Sequence, residues 1–193
     1  MLKNLFVSEV RLKILELMLL SNKKEVHVRG IVRAVNTEIN AVRRELDNLV
    51  KTGIFKRRQS MNRIYYSVDR LNPFYNELLN LLAKETGLAK KILQKKSDLG
   101  DIEFAVFCPA YFKGRESTAL DVDLFIVGDI EVEALKKLVK EQESKSGREL
   151  NFSVMTSTEF KSRKRTGDQF INRVLSQSRM MLVGDEEKFY SIS

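Results

Sequence analysis

Cysteine and histidine are almost missing from this 193-residue chain, each represented once, as Cys108 and His27. A single cysteine excludes an intramolecular disulfide. One residue of each type leaves no cluster with the spacing zinc needs, so zinc chemistry and histidine-based triads are excluded too. No apolar run approaches the roughly 20 residues that span a bilayer. Lys3, Glu9, Arg11 and Lys13 are mixed into the apolar N-terminus, unlike a signal peptide. Internal repeats and low-complexity segments are also lacking. The expectation is a cytoplasmic globular protein with no membrane partner.

What is present is apolar content and an uneven charge. Hydrophobic residues make up 43% of the chain, enough to bury a core in one large domain or two small ones. Residues 1–100 carry 20 Lys and Arg against 10 Asp and Glu, whereas residues 101–193 carry 14 against 16. Polyanion binding, with nucleic acid the foremost candidate, therefore belongs to the first half.

That half reads as helices and short strands. Ser8 is a good N-cap, and the segment from Glu9 to Leu20 has the broad apolar coverage of a mostly buried helix. Glu25 to Val28 alternates like a short strand, and Arg29 to Val35 suits a short helix. Asn36 offers a turn and a cap for a longer helix, TEINAVRRELDNLVKT, which Gly53 terminates. Ile39, Val42, Leu46, Leu49 and Val50 form its apolar stripe, with Thr37, Asn40, Ala41, Arg44 and Asn48 on the opposite face. Two β-like runs, Ile54 to Gln59 and Arg63 to Val68, are joined at Ser60, Met61 and Asn62 as a hairpin with a basic tip. Asn72 and Pro73, a cap and a first-turn proline, open a helix expected to run to about Lys96, its stripe interrupted at Gly87.

Helix, strand, helix, turn, helix, hairpin is the order of a winged helix-turn-helix. Residues 5–70 resemble winged-helix regulators of the arsenic-repressor type, above all in REL-x-x-LVKTGIFKRR followed by RIYYSV. The resemblance implies double-stranded DNA as partner and a homodimer. A helix of this kind enters the major groove with residues near its N-terminus at base edges. Thr37, Asn40, Arg43 and Arg44 are the candidate readers. Arg57, Arg58 and Arg63 frame the wing, where they would meet phosphates or the minor groove. Tyr65 and Tyr66 read as wing packing and His27 as a strand-face residue.

In the second half, Glu103 to Gly128 holds two apolar runs flanking a polar loop, and the second run carries Asp121 and Asp123 at alternate positions. On a strand those carboxylates point the same way, about 6–7 Å apart, as a chelated divalent cation requires. Leu120, Val122, Leu124 and Ile126 then face the core. The expected order is strand (Ile102 to Phe107), loop, strand (Ala119 to Val127), helix (Val132 to Glu143), strand (Glu149 to Met155), helices near Thr158 to Arg165 and Asp168 to Ser176, a short run MMLVG and a polar tail. Such alternation indicates a small α/β sheet domain.

Residues 102–184 resemble the minimal nucleotidyltransferase fold of the DNA polymerase beta superfamily, with Asp121-Val122-Asp123 matching its D-x-D and Lys113-Gly114 its loop glycine. The resemblance implies metal ligation by Asp121 and Asp123, and nucleotide contact near Lys113 and Gly114. Its glycine-serine phosphate cradle falls on Pro109 and Ala110, which lack an amide N–H and a hydroxyl respectively. Its third acid falls on Asn151, which cannot take a proton from an attacking hydroxyl; Glu149 shares that face and is the substitute, so Asp121, Asp123 and Glu149 are the catalytic set of an active enzyme. The basic run Lys161, Arg163, Lys164 and Arg165 reads as a solvated helix face, and Cys108 as a small core residue.

The fold expected is a winged helix-turn-helix (1–71), a long connecting and dimerisation helix (72–99) and a small mixed-sheet nucleotidyltransferase-like domain (100–193). The leading functional reading is a DNA-binding transcriptional regulator whose second half is an inactive nucleotidyltransferase-like domain for sensing, dimerisation or partner binding. One alternative is an active metal-dependent nucleotidyltransferase, which alone would require Mg²⁺ and a nucleoside triphosphate. Another is an antitoxin-like interaction module with a protein partner.

Overall fold

A computed structural model describes residues 2, 6–21, 23–114, 118 and 121–191. They form an α/β protein of eleven helices and two small sheets, divided into two units, Met1–Glu85 and Thr86–Ser193. Among the described residues no helix is long and apolar enough to cross a membrane.

In the first unit, Ser8 caps α1 (Glu9–Leu19) by accepting from the Arg11 amide at 3.2 Å, and Leu12, Ile14, Leu15, Met18 and Leu19 are buried. Strand β1 (Val26–His27) leads into α2 (Val28–Val35), which buries Val28, Ile31 and Val35. Helix α3 (Ile39–Lys51) buries Val42, Leu46 and Leu49, three members of the expected stripe. Strands β2 (Phe55–Ser60) and β3 (Arg63–Val68) form the hairpin, and the sheet runs β1-β3-β2, antiparallel throughout. Met61 turns the hairpin at φ 50°.

One buried residue of α3 is charged. Glu45 is 4% exposed and its Oε2 accepts from Arg11 Nε at 2.8 Å, tying α1 to α3. Burial pushes its carboxyl up, but hydrogen bonds from Ser8, Arg11 and Asn48 and the Arg11 charge outweigh this and hold it below its ordinary value. A carboxyl so lowered stabilises the fold above its unfolded pKa and loses that contribution as pH falls through the folded value. Breaking a buried pair costs about 3–5 kcal/mol; with the Arg11 side chain 34% exposed, about 2 kcal/mol is expected for Glu45→Gln at pH 7. Urea denaturation of parent and variant across pH should show that difference shrinking below about pH 4.

The helix opened by Asn72 and Pro73 does not reach Lys96. It is replaced by α4 (Tyr75–Lys84), α5 (Gly87–Gln94) and α6 (Lys96–Leu99), and the first unit ends at Glu85. Thr86 is extended and Gly87 has φ +49°, a conformation that L side chains rarely adopt. A Cβ on Gly87 would also come within 2.8 Å of Gln142 Oε1. The interruption of the apolar stripe at Gly87 is where the helix is broken.

The second unit adds β4 (Gly100–Phe107), α7 (Pro109–Phe112), β5 (Leu124–Ile130), α8 (Val132–Ser146), β6 (Phe152–Met155), α9 (Ser157–Arg165), α10 (Gln169–Ser176), β7 (Met180–Val183) and α11 (Glu186–Tyr190). The sheet runs β6-β5-β4-β7 and is mixed: β5 and β6 are parallel, the other pairs antiparallel. Phe104, Val106, Phe125, Val127, Met155, Phe160, Ile171, Val174 and Phe189 form a core on one face. Ala105, Phe107, Leu124 and Ile126 alternate with them and are also fully buried. Strand β5 is thus covered on both faces, not on one as its D-x-D spacing suggests, and the unbroken run Leu124 to Val127 is what such a central strand requires. At its far end only glycine fits position 128, where a Cβ would lie 2.1 Å from the Asp101 carbonyl oxygen of β4.

Two further expectations change. The first turn after β4 is helical, with Pro109 at the N-terminal position where no amide donor is needed. The tail is not merely polar: α11 inserts Phe189, fully buried, into the core.

Candidate functional site

The α2–α3 turn positions the candidate reading face. Asn36 closes α2 in the left-handed conformation at φ 48°, and the Thr37 hydroxyl donates to the Val35 carbonyl at 3.1 Å. The cap of α3 is Glu38, not Asn36: its Oε2 accepts from the amides of Asn40 at 2.9 Å and Ala41 at 3.0 Å. These bonds, followed by the charges of Arg43 and Arg44, hold its carboxyl below its ordinary value. A carboxylate takes the cap because it also meets the positive end of the helix dipole. Thr37 is half-buried and engaged in the turn, whereas Asn40, Arg43 and Arg44 are exposed on one face of α3. Asp47, also exposed, continues that face one turn on. Among the described residues Arg43 and Arg44 form no salt bridge.

In the hairpin, Arg57, Arg58 and Arg63 are exposed, but they are not equivalent. Arg58 is held by Glu25 through two hydrogen bonds, Nη2 to Oε1 at 2.7 Å and Nε to Oε2 at 3.2 Å, and lies 5.2 Å from the Tyr65 ring centre. It is a brace between the start of the sheet and the hairpin, which sequence spacing cannot distinguish from a free arginine. Tyr66 is 3% exposed; burial raises its hydroxyl pKa, modulated by the charges of Asp47, Arg57 and Arg43. Arg57 lies opposite Tyr66 in the register of β2 and β3. His27 packs on Tyr65 with ring centres 5.5 Å apart.

The aspartate pair is arranged differently from the strand expectation. Strand β5 begins at Leu124, so Asp121 and Asp123 lie on its lead-in, and Leu120 falls outside the described residues. Asp121 Oδ2 accepts from both the amide and the hydroxyl of Thr118, each at 2.9 Å. Asp123 is 1% exposed and its Oδ2 accepts from the Asn151 amide at 3.0 Å. Asn151 turns its side-chain amide to the Thr118 carbonyl at 2.7 Å. Glu149 is exposed and, like Asn151, precedes β6.

Sequence reasoning missed Arg179. It is 8% exposed and donates to the carbonyls of Val174, at 3.1 Å, and Val122, and to Gln177 Oε1 at 2.9 Å. Val122 separates the two aspartates, so a buried guanidinium grips the backbone between them. A short polar stretch before a strand, QSR ahead of MMLV, is its only trace in the sequence.

The fit of this set to divalent cations is poor. Asp121 holds a turn with Thr118, Asp123 ties the lead-in of β5 to Asn151, the position expected to carry the third acid is Asn151, and no group of three His, Cys, Asp or Glu among the described residues can hold a metal. At the expected phosphate position, Cys108, Pro109, Ala110, Lys113, Gln177 and Ser178 line a cavity of about 240 Å³. Gly114 follows Lys113 with φ 77°. Pro109 offers that cavity no N–H and Ala110 no hydroxyl. A structural role for Asp123 predicts that Asp123→Ala destabilises the protein by about 2 kcal/mol in urea denaturation, since hydrogen bonds to a charged group contribute about 1.5–3 kcal/mol.

The basic run of α9 is used structurally. Lys161 pairs with Glu103 at 3.6 Å and Arg163 with Glu159 at 2.6 Å, while Lys164 donates to the carbonyls of Phe189, at 2.6 Å, and Ser191. Burial lowers the Lys164 pKa. Cys108 is a buried free cysteine. Comparisons with protein-family models, with curated proteins and with solved structures found no match to this chain.

Proposed function

We propose that the protein is a DNA-binding transcriptional regulator. The first unit acts as a winged helix-turn-helix with α3 in the major groove and the β2–β3 hairpin as wing. The observation that carries this reading is the exposed α3 face, where Asn40, Arg43 and Arg44 stand clear of salt bridges among the described residues, together with the exposed Arg57 of the hairpin. Asn40 suits adenine and an arginine suits guanine through paired hydrogen bonds, while arginines off the base edges hold phosphates. Thr37 contributes to the turn, and Arg58 shapes the wing rather than reaching from it. The regulator is proposed to act as a homodimer in the cytoplasm.

The second unit is proposed to be a nucleotidyltransferase-like domain without transfer activity, serving sensing, dimerisation or partner binding. Phosphoryl transfer depends on positioning and charge neutralisation. Asp121 is engaged by Thr118 and Asp123 by the Asn151 amide, Asn151 cannot act as a base, and the Pro109-Ala110 pair offers no cradle. A gel-shift assay with the DNA upstream of the protein's own coding sequence tests the regulator reading. Retardation of that fragment in preference to unrelated DNA is expected, and none at low salt would refute it. Incubation with Mg²⁺ and labelled nucleoside triphosphates should transfer no label to protein or small molecules.

A further inference from the structure

Three arginines face one cleft of the first unit, and two of them lie outside both the α3 face and the hairpin. Arg29 and Arg33 lie four residues apart on α2, turned away from its buried Val28, Ile31 and Val35, and Arg63 opens β3. With His27, Val32 and Ile39 they line a cleft of about 630 Å³, within the range of ligand sites. All three arginines are exposed, and among the described residues none has a salt-bridge partner. The acids closest in sequence are otherwise engaged: Glu25 holds Arg58, and Glu38 caps α3. Three guanidiniums converging without a counter-ion repel one another and focus a positive potential. An anion relieves that repulsion, and the guanidinium fork matches the oxygens of phosphate. The half-buried Val32 and Ile39 supply an apolar floor suited to the carbon atoms of a sugar.

We propose that this cleft is a phosphate-binding site, with Arg29, Arg33 and Arg63 holding one phosphate group of the DNA backbone. Ile39 is both its wall and the first residue of α3, so a phosphate seated there lies beside the groove that α3 enters. The source of the phosphate rests on the DNA-binding reading; the phosphate chemistry of the cleft does not.

The test compares the full chain with its Arg29→Gln/Arg33→Gln variant in two titrations, duplex DNA by fluorescence anisotropy over a salt series and pyrophosphate by calorimetry. The variant is expected to bind specific and unrelated duplexes more weakly by the same factor. Its slope of log K against log salt should be shallower by about 0.9 per bound subunit, because each subunit no longer neutralises one phosphate. Loss of pyrophosphate binding with an unchanged DNA slope supports the cleft and assigns it to a free phosphate compound. Loss of pyrophosphate binding when neither protein binds duplex supports the cleft while refuting the DNA-binding reading. Equal affinities and slopes for both ligands overturn the proposal. Matching thermal melts by circular dichroism show that the variant is folded.

Discussion

Replacing Arg43 and Arg44 together by alanine is expected to weaken binding to the specific DNA site by roughly 30-fold to 10⁴-fold. Each paired hydrogen-bond contact between an arginine and guanine contributes about 1–3 kcal/mol of discrimination, so two contribute about 2–6 kcal/mol, and each 1.4 kcal/mol is tenfold. The fold should not suffer. Both side chains are exposed, Arg44 opposite the stripe of Val42, Leu46 and Leu49 and Arg43 at its flank, and alanine is the best helix former. The Arg43→Lys/Arg44→Lys variant separates charge from geometry. It keeps both cations but loses the fork, so it should retain affinity for unrelated DNA while losing preference for the site. Fluorescence anisotropy with the site and a scrambled duplex reads both quantities. If Arg43→Ala/Arg44→Ala binds the site as tightly as the parent, α3 is not the reading helix.

The second large effect concerns stability. Phe189→Ala should destabilise the second unit by about 3–5 kcal/mol, the usual cost of deleting a buried aromatic ring. Phe189 stacks on Phe160 with ring centres 5.5 Å apart and 10° between planes, meets Phe104 edge-on at 5.5 Å, and lies 6.5 Å from Phe125. Lys164 fastens the same segment by donating to the Phe189 carbonyl. The variant core is thus short of a ring that touches three others, and a domain has only about 5–15 kcal/mol of total stability. Phe189→Leu, which leaves a smaller void, should cost clearly less. Urea denaturation followed by far-ultraviolet circular dichroism measures both. A Phe189→Ala variant as stable as the parent would show that α11 does not close this core.

These two sites differ in how far the sequence reveals them. The α3 face is legible because the spacing of Val42, Leu46 and Leu49 fixes which way Asn40 and Arg44 point. The hairpin is legible because two β-like runs flank one short turn. Helix α11 is not, because five residues hold too few apolar positions to show a period; its trace is Asp185, whose Oδ1 accepts from the Lys188 amide at 2.8 Å as a cap. The break at Thr86 and Gly87 shows in the sequence only as an interruption of the apolar stripe at Gly87, and a lone glycine does not by itself end a helix. The aspartate pair misleads as well. Alternation extends from Leu124 back through Asp123 and Asp121, so a strand reads naturally to Ala119, whereas Asp121 turns back onto the Thr118 amide and hydroxyl, Asp123 is taken up by the distant Asn151 amide, and the strand begins only at Leu124. Partnerships across distant sequence, Arg58 with Glu25, Arg11 with Glu45 and Arg179 with Val122, have no local signature at all.

The first unit is proposed to carry a DNA surface that reads both phosphates and bases. This is tested most directly by measuring the affinity of the full chain for its own upstream DNA across a salt series. Binding through Arg43, Arg44, Arg57 and the α2 arginines predicts a straight line of log K against log salt with a slope of about −3 to −5 per bound subunit, doubled for a homodimer, at about −0.9 per neutralised phosphate, and tighter binding than to scrambled DNA throughout. Affinity that does not change with salt, or no binding at low salt, would contradict it.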